Sequence, residues 1–145
     1  MKLVKTVVLI FIFGAISSFA AFSALAYSYS QSSNLYFSNN GYYYYNYAMI
    51  TVDSDYATGN SAIDVQGSGT VPTGYIGAQG RLYSSSGTLM QVGSTYYNSV
   101  AASGLSSGTG RCYSTGTFYS KGITYAYNGN GYTTYWTNQS PNLSN

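Results

Sequence analysis

The segment 41–52, GYYYYNYAMITV, constrains the fold more than any other part of the chain. It is rich in tyrosine and β-branched residues, which favour strands, and alternate residues of a strand share one face. One face therefore carries an apolar triad and the residues in phase with it: Tyr42, Tyr44, Asn46, Ala48, Ile50 and Val52. The triad predicts that this face is the core face. Asn46 is out of place there, which predicts a β-bulge near it.

The opposite face of the same strand carries Tyr43, Tyr45 and Tyr47, which we call the tyrosine stripe. Pairs of tyrosines on neighbouring strands stabilise a sheet, and this alone explains an outward stripe. The alternative is a contact surface, because a rigid amphipathic ring offers a large contact area at a low entropic cost. Such rings can stack on sugars, on another protein or on a second copy of the chain.

Three aromatic residues near the end of the chain are further candidate contacts: Tyr132, Tyr135 and Trp136. For Trp136 we favour a core position, because a lone tryptophan often anchors the core of a β-sandwich. A surface position, with a direct role in binding, is the alternative.

After residue 26 no segment shows a long helical period. Short runs of Tyr, Thr, Val and Ile alternate with clusters of Gly, Asn and Ser, which is typical of strands and turns. We predict strands at 33–38, 42–52, 62–66, 75–83, 88–96, 99–103, 116–127 and 131–137. Hairpins turn at 84–87 and 128–131. The pattern predicts an all-β fold, an antiparallel β-sandwich of immunoglobulin-like or jelly-roll-like type, with a closed barrel as the alternative.

Residues 1–26 are typical of a secretory signal peptide. Two lysines precede an apolar run, and an Ala-Leu-Ala motif that ends at Ala26 offers small residues for cleavage. We therefore predict cleavage after Ala26, which leaves residues 27–145 as a single secreted domain, extracellular or at the cell surface. Cleavage at 18–20 and an uncleaved membrane anchor are the alternatives.

Removal of that segment leaves a formal net charge of zero, because three cations then face three aspartates: Arg81, Arg111 and Lys121 against Asp53, Asp55 and Asp64. Binding to nucleic acid or to an anionic membrane needs clustered lysine and arginine. We therefore expect no nucleic-acid partner. Because the long apolar run lies within residues 1–26, we also expect no membrane span in the mature chain.

Histidine and glutamate are absent from the sequence, which removes the commonest general base and imidazole metal sites. Glycoside hydrolysis needs only two carboxylates, but Asp53 and Asp55 at a strand end better suit a solvated turn, so we predict that the protein is not an enzyme. The segment 53–64 begins like an EF-hand loop with Asp64 at its twelfth position, although its sixth residue is not glycine. A loose Ca²⁺ site on the three aspartates is thus the less favoured interpretation, and we expect no cofactor.

Cys112 is the only cysteine in the sequence, which excludes an intramolecular disulfide. We favour a buried thiol that packs as a small apolar group. Pairing between two chains is the alternative, since an unpaired cysteine is unusual in a secreted protein.

Two stretches of the chain carry a resemblance to a known group of proteins. They are GAQGRLY with SGTL, between residues 77 and 89, and YSKG, YAYNGNGYTTY and SPN, between residues 119 and 142. In these motifs the chain, over residues 75–142, resembles a group of small, largely uncharacterised secreted proteins of Gram-positive bacteria. The resemblance implies an exported β-sandwich and assigns no catalytic or binding residue.

These features favour a secreted, non-enzymatic surface or matrix protein that acts by adhesion or by contact with cell-wall glycan. An uncharged, tyrosine-rich surface suits that role, because the Ser, Thr, Asn and Gln residues of the chain offer adaptable hydrogen bonds. Its partner would be cell-wall glycan, another surface protein or a second copy of itself. Two alternatives remain open: a bacteriocin-like or other toxic factor, and a fibre subunit that adds edge strands between copies.

The processing hypothesis predicts that the protein collected from culture medium starts at Tyr27. N-terminal sequencing and the intact mass of the secreted chain measure this directly. A full-length chain that stays in the membrane would contradict both the cleavage and the extracellular assignment.

Overall fold

The structure, a computed structural model, describes residues 27–145, and the predicted signal peptide lies outside them. This part of the chain forms the following strands: β1 (Ser28–Gln31), β2 (Leu35–Asn39), β3 (Tyr42–Val52), β4 (Ala57–Val65), β5 (Ile76–Gln79), β6 (Arg81–Ser84), β7 (Leu89–Val92), β8 (Tyr96–Tyr97), β9 (Gly104–Gly108), β10 (Thr117–Ser120), β11 (Ile123–Tyr127), β12 (Tyr132–Trp136) and β13 (Leu143–Ser144). The paired strands are antiparallel and form two facing layers, which confirms the predicted all-β sandwich. Within the same residues no helix is long and apolar enough to cross a bilayer.

The first layer is a five-stranded sheet centred on β3. Its order is β1-β3-β4-β9, and β2 pairs with the same edge of β3 as β1 does. β2 pairs with residues 42–46 and β1 with residues 49–52, so the two short strands follow each other along one long partner. The turn from β2 into β3 uses Asn40 and Gly41, whose φ angles of 46° and 82° are both positive, as a tight Asn-Gly hairpin turn requires.

The second layer consists of two four-stranded sheets joined end to end, and the layer is kinked where they meet. β5 continues into β6 through Gly80, and β10 continues into β11 through residues 121–122. On one side of the kink the strand order is β12-β11-β5-β8, and on the other side it is β13-β10-β6-β7. At the kink, the Gly93 amide donates to the Gly80 carbonyl at 2.9 Å, and the Thr137 amide donates to the Gly122 carbonyl at 3.0 Å. The two four-stranded sheets are therefore halves of one bent layer.

The two layers approach each other closely at three glycines, Gly59, Gly80 and Gly122, which we call the glycine waist. A Cβ on Gly59 would lie 2.6 Å from the Arg81 carbonyl oxygen, and a Cβ on Gly80 would lie 2.8 Å from the Gly59 carbonyl oxygen. A Cβ on Gly122 would overlap the Ser61 hydroxyl. Real Cβ atoms do not make contacts this short, so only glycine allows the layers to approach each other so closely here.

The glycine waist divides the core into two lobes. The buried residues of the first lobe are Tyr44, Ile63, Val65, Val71, Ile76 and Ala126. Those of the second lobe are Ile50, Val52, Ala57, Leu82, Cys112 and Phe118. Each lobe is filled by side chains from both layers. Cys112 is buried in the second lobe as a small apolar group, which is the interpretation that the sequence favoured.

β3 has the predicted alternation. Every second residue from Tyr44 to Val52 is buried, and the residues between them are more exposed. The predicted bulge near Asn46 is wrong, since β3 pairs with β4 without a register shift over this whole range. Asn46 is instead fully buried, and its side-chain amide donates to Thr124 Oγ1 at 2.7 Å across the layers. This bond satisfies the amide nitrogen, whereas Oδ1 of Asn46 is buried without a hydrogen-bond partner among the described residues.

Both predicted hairpins are confirmed: β6 turns into β7, and β11 turns into β12. Several predicted boundaries are wrong. Residues 99–103 form no strand, and β4 starts at Ala57, before the predicted start at 62. The strands predicted at 75–83 and 116–127 are each interrupted by the kink of the second layer. The short strands β1 and β13 were not predicted.

Replacement of Gly122 by alanine should destabilise the fold, because the new methyl group would overlap Ser61 and lie 2.5 Å from the Gln79 carbonyl oxygen. We expect the free energy of unfolding to fall by about 1–3 kcal/mol, the range for overpacked interiors. Gly131→Ala is the control, because a Cβ there meets nothing within 4 Å. Urea denaturation of both variants measures the difference. Equal stability of the two would contradict the close contact at Gly122.

Candidate functional site

The candidate site is the outer face of the first layer, where residues of four strands lie in one row. Tyr36 of β2 pairs with Tyr45 of β3. Tyr45 pairs with Asp64 of β4, which in turn pairs with Gly104 of β9. Tyr45 and Asp64 face outward, because they alternate with the buried residues of their strands. One row of the sheet thus carries two tyrosines and a carboxylate side by side.

The tyrosine rings of this face are in contact with one another. The ring centroids of Tyr36 and Tyr45 are 5.8 Å apart, and those of Tyr45 and Tyr47 are 6.0 Å apart with planes inclined by 19°. Offset contacts of this kind are favourable between aromatic rings. Tyr43 and Tyr36 are 66% and 63% exposed, whereas Tyr45 and Tyr47 are half-buried. The tyrosine stripe therefore consists of one exposed ring and two rings that neighbours hold in place.

Beside the rings, a trough with a volume of about 370 Å³ lies over β3, β4 and β9. Ala62 is opposite Tyr47 in the β3–β4 ladder, so a small side chain lies next to the ring. Gly104 lies under the Asp64 carboxylate, and a Cβ at this position would overlap Asp64 Oδ1. Glycine therefore allows the carboxylate to lie across β9, at the edge of the trough, which Ser106 also lines.

Burial, and next the neighbouring Asp64 carboxylate, raises the pKa of Tyr47 to about 12. The same two causes, in the same order, raise the pKa of Tyr45. A carboxylate disfavours a second negative charge beside it, and it accepts a hydrogen bond from a neutral hydroxyl. Both tyrosines are therefore neutral hydrogen-bond donors at physiological pH.

This arrangement has the parts of a surface that binds sugars. Flat tyrosine rings present an apolar face to the C–H bonds of a sugar ring and carry a hydroxyl at their edge. A carboxylate can accept up to about four hydrogen bonds, and bonds to an ionised acceptor are roughly twice as strong as neutral ones. A neutral polyol supplies hydroxyl donors to Asp64, whereas an anion would be repelled by it. The charge of Asp64 would therefore favour an uncharged ligand over an anionic one at this face.

The aromatic residues predicted near the end of the chain lie on the other layer. Tyr132 and Trp136 are 42% and 44% exposed on its outer face, so the core position favoured for Trp136 is wrong. Tyr135 alternates with them and faces inward, where its ring stacks on Phe37 with 3.7 Å between the centroids. Because Tyr135 packs against the first lobe of the core, it contributes to the contact between the layers and not to a surface.

The structure does not bring the three aspartates together. Asp53 and Asp55 lie in the loop between β3 and β4, whereas Asp64 lies near the end of β4. The segment 53–64 is therefore mostly strand and not the loop that the calcium hypothesis requires. Among residues 27–145, no three His, Cys, Asp or Glu side chains form a group that could hold a metal ion.

Tyr36 and Gly104 were not among the predicted site residues. The strand predicted at 33–38 contains Tyr36, but only its pairing with Tyr45 places it on the tyrosine face. Gly104 gave no signal at all, because β9 has the sequence GLSSG, which is typical of a loop. Long-range strand pairing decides both positions.

Comparisons with protein-family models, with curated proteins and with solved structures returned no match to this chain. The family resemblance over residues 75–142 therefore stays a prediction.

The raised pKa values predict a loss of stability at high pH. Burial of Tyr44 and Tyr47 raises the pKa of each to about 12, from an ordinary value of 10.0. Between these values the unfolded chain has lost protons that the folded chain keeps. Stability should therefore be full below pH 10.0 and fall as the pH rises to about 12.

Asp64→Asn should lower the pKa of Tyr47 but leave that of Tyr44 unchanged, because burial and neighbouring tyrosines raise the latter. NMR titration of tyrosine rings labelled at Cζ resolves the two residues. An unchanged pKa of Tyr47 in this variant would contradict its contact with Asp64.

Proposed function

We propose that this protein is a non-enzymatic contact protein that binds neutral glycan through the outer face of its first layer. The observation that carries the proposal is the row of Tyr36, Tyr45 and Asp64 beside the trough, where aromatic faces and a strong hydrogen-bond acceptor meet. In a ligand site, apolar and aromatic contacts supply most of the buried area, and a few placed polar groups supply orientation and specificity.

The tyrosine face suits the repeated sugars of a polymer better than a single small ligand. Three rings lie next to one another across and along the strands, at 5.8 Å and 6.0 Å between centroids. A glycan chain laid over them would meet several stacking positions in succession. Because neighbouring rings already hold Tyr45 and Tyr47, binding costs these side chains little entropy. We therefore propose cell-wall glycan as the partner.

The trough supports binding rather than hydrolysis. Asp64 is the one carboxylate among the residues that line it. Glycoside hydrolysis of either stereochemical course generally uses two carboxylates that flank the bond. Asp53 and Asp55 lie in the loop that precedes β4, whereas Asp64 lies near the end of that strand.

Adhesion at the cell surface is the setting that we propose for this binding. The pattern of residues 1–26 supports export. Residues 27–145 carry three cations and three aspartates, so affinity for a neutral polymer has to come from stacking and hydrogen bonds. Salt screens interactions between exposed charges and has little effect on these contacts. Binding to neutral glycan should therefore be insensitive to salt.

Self-association is a second candidate, favoured by the charges on the two outer faces. Asp64 lies on the outer face of the first layer, whereas Arg81 and Lys121 lie on the outer face of the second layer beside Trp136. Opposite charges on opposite faces allow copies to stack head to tail, and such contacts build open filaments. Sedimentation velocity at rising protein concentration tests this, and a monomer throughout would exclude it.

Replacement of all three residues of the tyrosine stripe by serine should remove binding to purified cell walls while the fold stays intact. The exposed ring of Tyr43 contributes mainly cross-strand contacts, which are worth about 0.2–1 kcal/mol. The half-buried rings of Tyr45 and Tyr47 also contribute buried area, so the triple variant should lose part of its stability and still fold. Ile50→Ala is the reference for a core loss of about 2–5 kcal/mol, because Ile50 is fully buried. A cell-wall pull-down combined with urea denaturation separates binding from stability.

Tyr113→Ser is the matched control for Tyr43→Ser, because the two rings are 68% and 66% exposed and Tyr113 lies between β9 and β10. We expect Tyr43→Ser to weaken binding and Tyr113→Ser to leave it unchanged. A Tyr43→Ser variant that loses as much stability as Ile50→Ala would contradict the outward position of the stripe. A folded triple variant that binds like the wild type would leave the tyrosines as strand formers only.

A further inference from the structure

Trp136, the one tryptophan of the sequence, lies exposed on the outer face of the second layer with two cations beside it. The guanidinium carbon of Arg81 is 5.2 Å from the centroid of the indole ring, and Nζ of Lys121 is 6.0 Å from it. At these distances the face of an indole attracts a cation. Two of the three cations of residues 27–145 thus meet at a single ring.

The strands around the kink hold these side chains in place. Gln79 Oε1 accepts hydrogen bonds from Nε and Nη2 of Arg81 at 3.1 Å and 3.0 Å, which sets the plane of the guanidinium group. Trp136 pairs with Ile123 in the β11–β12 ladder and shares a face with it, and Ile123 is buried. The indole therefore covers Ile123. Side chains that are already held lose little entropy when a ligand binds.

Arg81 and Lys121 have no carboxylate between them. Asp64 lies on the outer face of the first layer, and Asp53 and Asp55 lie in the loop between β3 and β4. Two like charges beside one ring repel each other. An anion bound between them would replace this repulsion by attraction to both charges.

A hollow lies at the same place. Its volume is about 290 Å³, and its lining residues are Tyr83, Tyr119, Lys121 and Trp136. Tyr83 and Tyr119 are paired across β6 and β10, and their rings stack with centroids 5.3 Å apart and planes inclined by 10°. The hollow thus combines an indole, two stacked phenol rings and an ammonium group, and none of these lining residues carries a carboxylate.

We propose that this hollow is a second binding site, which takes a sugar unit that carries a carboxylate or phosphate group. Tyr83, Tyr119 and Trp136 supply the aromatic contacts to the sugar ring, and Lys121 of the lining binds the anionic group. Arg81, which lies against the indole but does not line the hollow, adds a second positive charge beside it. A neutral sugar leaves the repulsion between the two cations in place, so it is the weaker ligand. Two cations are too few for nucleic acid, whose binding rests on many phosphate contacts.

The second site is independent of the tyrosine face. Asp64 gives the first site a negative charge, whereas Arg81 and Lys121 give the second site a positive one. Binding at the second site should therefore weaken as salt rises, because salt screens the charges of partly exposed groups. Loss of glycan binding at the tyrosine face would therefore not affect binding of an anionic saccharide at the hollow.

Trp136 itself reports on the site, because it is the only tryptophan in the sequence. Its fluorescence, excited at the red edge where tyrosine does not absorb, is titrated with a hexuronate oligosaccharide and with a sugar-phosphate oligomer of the same length. We expect a saturable change with at least one of them, and the two arms identify the source of the anion. A neutral oligosaccharide and inorganic phosphate should bind at least about tenfold more weakly, a difference that corresponds to a single strong contact.

Two of these titrations can overturn the proposal. If the neutral oligosaccharide binds as tightly as the anionic ones, the cations have no role in recognition. If inorganic phosphate binds as tightly, the hollow is a simple anion site and the indole has no role. No response to either anionic oligosaccharide would also exclude the site.

Lys121→Gln and Arg111→Gln form a matched pair of variants, because each removes one positive charge. Arg111 lies over Tyr56, with its guanidinium carbon 4.4 Å from the ring centroid, and does not line the hollow. We expect Lys121→Gln to weaken binding about fivefold, the upper end for an exposed charge pair, and Arg111→Gln to leave it unchanged. Equal weakening by both variants would indicate attraction to net charge alone and would overturn the site.

Trp136→Phe and Trp136→Ala test the stacking contact, with calorimetry in place of fluorescence. We expect the phenylalanine variant to keep part of the affinity and the alanine variant to lose more than about tenfold. Urea denaturation shows whether each Trp136 variant folds. If one does not, Lys121→Gln is the variant that tests binding at the hollow. Unchanged affinity in a folded Trp136→Ala variant would overturn the role of the indole.

A last measurement separates a saccharide from a second copy of the chain. Sedimentation of the wild type, of Lys121→Gln and of Asp64→Asn shows whether copies associate through opposite charges. Salt-sensitive association that both variants abolish would assign the hollow to a second copy and overturn the saccharide proposal. A monomer in all three samples, together with saturable binding of an anionic oligosaccharide, supports it.

Discussion

The fold depends on one close contact, the approach of the two layers at the glycine waist. Peptide groups that come so near to each other need hydrogen-bond partners, and the waist supplies them across the layers. The Ser120 hydroxyl lies 3.1 Å from the Asn60 carbonyl oxygen in the first layer and 3.0 Å from the Arg81 carbonyl oxygen in the second. Within the first layer, the Thr109 amide donates to the Gly59 carbonyl at 2.8 Å. Since no apolar side chain fits at the waist, the core fills the space on either side of it and forms two lobes.

The same contact decides the character of both outer faces. β3 and β4 pair without irregularity, so the first layer presents a regular ladder on which Tyr45 and Asp64 lie in register. The second layer bends at Gly80 to reach the waist, and Arg81 is the residue that follows the bend. The bend thus brings Arg81 of one half-sheet next to Trp136 of the other half-sheet. A regular ladder suits repeated contacts with a polymer, whereas a hollow at a bend suits one anchored group.

These constraints explain which parts of the fold the sequence could predict. The alternation of β3 is visible because Ile50 and Val52 pack into the second lobe, where apolar side chains are required. The start of β4 is hidden because its inward positions at the waist are Gly59 and Ser61, small residues that resemble a loop. In β12, aromatic residues lie on both faces, so periodicity alone does not tell which of them is buried. The candidate site could not be predicted for another reason. Its row is formed by four strands that pair over long sequence separations, and the pattern within one strand does not show which residues of another strand lie opposite it.

The two proposed binding surfaces lie on opposite layers of the sandwich and carry opposite charges. A protein that holds a neutral polymer on one face and an anionic saccharide on the other cannot place both on one short chain, because the body of the sandwich lies between them. It would instead connect two polymers, and the second attachment would gain from the high local concentration that the first one creates. Low net charge suits such a bridge, since neither polymer is repelled by the protein as a whole. If both proposed sites bind their ligands, adhesion would follow from the position of the two surfaces on the sandwich, and weak binding at each would be sufficient for it.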